Sequence, residues 1–92
     1  MGRPRSLREE NEFSSGIQQL KEKYPRTEDW WFSWDWRLAR SPETDAVLVS
    51  GSSPPAYILK TDMFAEYGAP PPATFLYRFD ENYVYMLDVK GS

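Results

Sequence analysis

Carboxylates are the groups in this sequence best suited by type to do chemistry, and most of them come as neighbours: Glu9 with Glu10, Glu28 with Asp29, and Asp80 with Glu81. A hydrolytic carboxylate pair of the glycosidase kind needs two carboxyls about 5–9 Å apart across a cleft. Adjacent acids at helix starts and turn tips face solvent instead. Asp35 and Asp88, with Arg37 nearby, form a second arrangement, but one set on what reads as a small, flat sheet face. The chain has no histidine and no cysteine. It therefore lacks the commonest general base, the commonest metal ligand and any thiolate. Serines are frequent, yet none sits in a nucleophile-elbow glycine pattern. These features predict no catalytic, cofactor-binding or metal-binding residues, and a non-enzymatic role.

Charge narrows the class of partner. The net charge is −3, from 11 basic and 14 acidic residues. Arg3, Arg5 and Arg8 place three positive charges in the first eight residues, so everything from Glu9 onward sums to −6. An acidic body suits a basic protein partner better than nucleic acid or an anionic membrane. No run approaches the ~18–20 apolar residues of a membrane span. No hydrophobic stretch follows the basic start as in a signal peptide, and a cytoplasmic location is expected. Met1-Gly2-Arg3-Pro4-Arg5-Ser6 matches the loose N-myristoylation pattern, with nothing further in its favour. The plain expectation is a flexible basic tail over residues 1–8, followed by a single domain over 9–92.

Without disulfides, a chain of 92 residues must be held by apolar packing, and 16% of it is aromatic. Four tryptophans and a phenylalanine fall within "DWWFSWDW", residues 29–36. Trp30, Phe32, Trp34, Trp36 and Leu38 alternate with Trp31, Ser33, Asp35, Arg37 and Ala39, which predicts a half-buried strand with the first set in the core. The preceding segment reads as an amphipathic helix. Phe13, Ile17, Leu20 and Tyr24 form its stripe, Ser6 with Glu9 has the form of a capping box, and Pro25 ends it.

Residues 46–50 and 56–60 read as short strands joined across a Pro-containing turn. A short helical turn is expected over 62–67, capped at Gly68. The triple proline within 69–73 reads as a stiff spacer. At the C-terminus "TFLYRF" and "YVYMLDV" flank Asp80-Glu81-Asn82, which predicts a hairpin with a three-residue loop and a left-handed Asn82. That register pairs Phe79 with Tyr83, Tyr77 with Tyr85 and Phe75 with Leu87, all on the core face.

The architecture expected is α+β: one N-terminal amphipathic helix on a roughly five-stranded antiparallel sheet that ends in the C-terminal hairpin. This layout resembles that of small secreted ribonucleases, though the histidine their chemistry uses is absent. With one helix available, the second sheet face is left open. It is predicted to carry Trp31, Asp35, Arg37, Leu76, Arg78, Val84, Met86 and Asp88, a mixture typical of protein interfaces. The reading is a small protein-interaction domain, an adaptor, inhibitor or immunity-type protein, that binds a protein partner or a second copy of itself through that face. The alternative is a carbohydrate- or single-strand-nucleic-acid-binding module that stacks its exposed aromatics on a ligand.

Overall fold

Residues 27–40 decide the architecture, and they form a helix rather than the expected strand. In the computed structural model, which describes residues 4–61, 68 and 70–91, the chain runs through seven elements. These are β1 (Ser6–Glu9), α1 (Asn11–Lys23), α2 (Thr27–Arg40), β2 (Val47–Leu48), β3 (Tyr57–Lys60), β4 (Ala73–Phe79) and β5 (Tyr83–Gly91). The short helix expected over 62–67 lies outside the described residues.

The tryptophan-rich segment satisfies two periods at once. Its even positions alternate as a strand would. Thr27, Trp30, Trp31, Trp34 and Leu38 also recur at helical spacing, and this second set faces the core, Trp31 and Trp34 being half-buried. The ends favour the helix. Glu28 and Asp29 occupy the first turn and Arg37 and Arg40 the last, where each sign of charge complements the helix dipole. Phe32 and Trp36, expected in the core, are instead exposed.

Helix α1 buries Phe13 and Ile17 as expected. Its N-cap is Glu10, and no side chain caps it, because Ser6 and Glu9 belong to β1. The Thr27 hydroxyl donates to the carbonyls of Tyr24 (2.7 Å) and Leu20 (3.1 Å), satisfying the end of α1 and fixing the turn into α2.

The five strands form one sheet in the order β1-β5-β4-β3-β2. All pairings are antiparallel except β1 with β5, which is parallel. The supposed tail over 1–8 is thus part of the fold from Ser6 onward. Its entry is fixed by the Arg5 N–H bonded to the carbonyl of Ala39 (2.7 Å) and the Ser6 N–H bonded to that of Asn82 (3.0 Å).

The hairpin forms, but one residue out of the expected register. Asp80 N–H donates to the Tyr83 carbonyl (3.0 Å), so Asp80 and Tyr83 close the loop and only Glu81 and Asn82 lie within it. Phe79 then pairs with Val84 and Tyr77 with Met86. Asn82 is not left-handed; Asp45 is the described non-glycine residue with positive φ. A one-residue slip turns every side chain of a strand over, so Val84 and Met86 face the core while Tyr83 and Tyr85 face out. An extra residue, Leu87, between the Tyr77–Met86 and Leu76–Asp88 pairs is a bulge that resets the alternation, and Val89 is again buried.

Both helices lie on this Val84/Met86 face. Phe75 is the hub of the core, with the rings of Trp30, Trp31, Trp34 and Phe13 at 5.6, 5.6, 5.8 and 6.1 Å between centroids. Tyr77 is fully buried, and its hydroxyl donates to the Pro42 carbonyl at 2.6 Å. Burial pushes its phenol up to about 12.

Candidate functional site on the open sheet face

The opposite face of the sheet is uncovered by any helix among the described residues, as expected, but its occupants differ from the predicted set. Leu76, Arg78 and Asp88 are on it. Val84 and Met86 are completely buried beneath the helices. Trp31 packs 4.9 Å from Phe13 in the core. Asp35 and Arg37 are on α2, across the sheet. Burial pushes the Asp35 carboxyl up, while Arg37 bonds Asp45 at 2.6 Å. The predicted eight therefore do not form one surface, and Asp35 and Asp88 do not form a carboxylate pair.

What the register brings outward is an arginine–tyrosine cluster. Arg78 on β4 is directly opposite Tyr85 on β5, and Arg8 on β1 is in register with Tyr85 from the other side. The Arg8 guanidinium lies over the Tyr83 ring at 4.5 Å, and the Tyr83 and Tyr85 rings are 5.9 Å apart. Alternating directions along β5 therefore place two tyrosines between two arginines.

The hairpin turn anchors one side of this cluster. Asp80 Oδ1 accepts the N–H groups of Asn82 and Tyr83, both at 2.8 Å. Its other oxygen accepts the Tyr85 hydroxyl at 3.2 Å. The backbone donors hold the Asp80 carboxyl below its usual range. Desolvation, then the bond to Asp80, pushes the Tyr85 phenol up, so it remains a proton donor at neutral pH. Tyr83 in turn raises the already high pKa of the Arg8 guanidinium.

A cavity of about 570 Å³ opens beside the cluster, lined by Arg78, Tyr85, Leu87 and Glu10, with Pro54 and Pro55 among its walls. Arg78 Nε is buried and has no hydrogen-bond partner among the described residues. A buried donor without an acceptor is costly, and this one is closed to solvent. The chemistry available is thus two permanent cations, two aromatic faces, a phenol that donates and a carboxylate already engaged. Such a set binds phosphate and stacks bases. Glu10 is the cavity carboxylate not engaged by a hydrogen bond or ion pair among the described residues. No group of His, Cys, Asp or Glu among the described residues gathers to hold a metal ion.

Arg8, Glu10, Tyr83 and Tyr85 were not foreseen. One signal for the tyrosines was present: in "YVYM" the residues with a polar tip alternate with purely apolar ones, and the polar-tipped pair faces water.

No protein-family model matches the chain, and no curated protein sequence does. Among solved structures, a chain of the toxin–antitoxin complex RelBE2 from Mycobacterium tuberculosis is similar, with a TM-score of 0.73 over 98% of this chain and 100% of that one. The fold is RelE-like. At 16% identity the likeness is one of backbone architecture: two helices on one face of a five-stranded, mostly antiparallel sheet. No described helix is long and apolar enough to cross a membrane.

Proposed function

We propose that this chain is the toxin-type member of a two-protein complex, and that it acts on RNA through the Arg8/Arg78/Tyr83/Tyr85 face. The observation that carries the reading is the register that sets Arg8 and Arg78 on either side of Tyr85, beside a cavity on the uncovered face of the sheet. Arginine forks fit phosphate, and tyrosine rings take unstacked bases without demanding a sequence. In cleavage, the ribose 2′-hydroxyl of the substrate would give up its proton and attack the adjacent phosphorus. The P–O5′ bond would break to leave a 2′,3′-cyclic phosphate and a 5′-oxygen that takes a proton from water, and Arg78 and Arg8 would stabilise the charge that develops on the phosphoryl oxygens.

Proton transfer is the weaker part of this site. Tyr85 holds its proton and Asp80 is tied to the turn, which leaves Glu10 as the candidate base. Cleavage is therefore expected to depend on an RNA held in place by a larger assembly, such as a translating ribosome, and to be slow on free RNA. The acidic body gives little long-range attraction to RNA, which fits a site that engages substrate delivered to it. A protein partner that restrains the toxin would cover the two arginines with carboxylates.

The test is cell-free translation followed by mapping of message ends. The wild type is expected to stop translation with new cuts, and Arg8→Ala/Arg78→Ala to lose both effects while remaining folded. Arrest without cuts, or cuts retained in the double variant, would contradict the reading. The second reading, a non-catalytic protein-interaction domain, is favoured by the acidic balance and the absence of histidine. It predicts no effect on translation.

A further inference from the structure

The outer ridge of α2 carries residues that the fold does not use. Phe32 is 71% exposed and Trp36 55%, the two large aromatics most open to solvent among the described residues. They are four residues apart and continue a ridge with Glu28 before them and Arg40 after them. The Arg40 guanidinium stacks on the Trp36 ring at 4.1 Å and donates to the Trp36 carbonyl at 3.2 Å. Glu28 reaches Lys21 at 3.4 Å with its side chain 79% exposed. The ridge is thus acidic at one end, aromatic in the middle and basic at the other.

We propose that α2 pairs antiparallel with α2 of a second copy of this chain through Glu28, Phe32, Trp36 and Arg40. The order of these residues is self-complementary. A two-fold axis passing between Phe32 and Trp36 sets Phe32 of each copy against Trp36 of the other, and Glu28 of each against Arg40 of the other. Two-fold contacts require that the same patch complement itself when reversed, and this ridge does so in both shape class and charge. Residues four apart are also the ridge that interdigitates in the commonest mode of helix packing, at a crossing angle of about −50°.

Arg40 can keep its stacking on Trp36 and still offer donors to a carboxylate, since a guanidinium carries five. Glu28 exchanges one solvent-exposed ion pair for another, at little cost. Four residues a side cover less than the ~1,000 Å² of a stable interface, so the dimer is weak and forms only at high protein concentration. The ridge and the arginine–tyrosine face lie on opposite sides of the sheet, so this pairing stands or falls separately from the RNA reading.

Sedimentation velocity up to about 500 µM protein tests it. The wild type is expected to shift from monomer to dimer, and Trp36→Ala to stay monomeric with an unchanged circular dichroism spectrum. Glu28→Arg and Arg40→Glu should each raise the Kd at least tenfold. Combining the two should restore association, because the reversed charges again meet their opposites. A wild type that stays monomeric throughout would overturn the proposal. So would a dimer indifferent to Trp36→Ala, or single charge reversals that the double variant does not rescue. If the wild type is monomeric and Trp36→Ala instead weakens binding of a restraining partner protein, the ridge belongs to that partner.

Discussion

Gly16 of α1 rests directly on Val89 of β5: a Cβ placed on the glycine would lie 2.6 Å from Val89 Cγ1 and 3.2 Å from the Val89 carbonyl oxygen. This close approach brings the helix down onto the strand and explains a glycine in mid-helix, where it costs about 1 kcal/mol relative to alanine. Gly16→Ala is therefore expected to lower stability by about 1–2 kcal/mol, overpacking outweighing the gain in propensity. Urea denaturation measures it, and a stabilised variant would mean that the helix can lift from the sheet without loss.

Two tryptophans six residues apart on α2 should behave oppositely. Trp30 is fully buried against Phe75, so Trp30→Ala is expected to cost ~3–5 kcal/mol. Trp36 faces solvent, so Trp36→Ala should change monomer stability by less than about 0.5 kcal/mol. Thermal unfolding at low protein concentration compares them. Equal losses would return residues 29–36 to the strand reading.

Tyr77 links stability to alkaline pH. Its phenol titrates at about 12 in the folded chain and near 10 when unfolded. Between these values the folded state holds more protons, so stability falls as pH rises from about 10 to about 12, by roughly 2–3 kcal/mol in all. Tyr77→Phe should flatten this loss relative to wild type. At neutral pH it should cost about 1 kcal/mol for the lost bond to Pro42. Unfolding curves at stepped pH supply the comparison.

Asp80 should make the hairpin acid-sensitive. Its carboxyl is held below its usual range by the N–H groups of Asn82 and Tyr83. The stabilisation is present above the ordinary carboxylate pKa and is lost as pH falls through the lower folded value. The protection of the Asn82 and Tyr83 amides, their exchange measured against an unstructured peptide at the same pH, should fall on acidification in the wild type. In Asp80→Ala it should be low throughout.

Much of the fold was legible where one signal dominated. The Phe13/Ile17 stripe predicts α1, and the flanking hydrophobic runs predict the β4–β5 hairpin. Residues 29–36 were misleading because a run so dense in aromatics satisfies both the strand and the helix period, and the charged ends of α2 were the distinguishing feature. The site failed twice: helix α2 carries Trp31, Asp35 and Arg37 to the other side of the sheet, and the hairpin is one residue out of register. Whether Asp80 belongs to the loop or closes it is decided by a hydrogen bond to the Tyr83 carbonyl, which spacing alone does not reveal, and that choice exchanges Val84 and Met86 for Tyr83 and Tyr85. β1 was hidden because its parallel pairing with β5 is long-range, and Arg8 resembles part of a tail until it is seen over the Tyr83 ring.

The central claim is that the arginine–tyrosine face engages RNA, and a fluorescence titration of single-stranded RNA across salt concentrations tests it most directly. The wild type should bind weakly and at low salt, since its acidic body adds little attraction, and Arg8→Ala/Arg78→Ala should bind more weakly still. Its slope of log K against log salt should be shallower by about 1.4, the value for two lost phosphate contacts on a single strand. Wild-type binding that is absent, or an affinity and salt slope that the double variant leaves unchanged, would contradict the account.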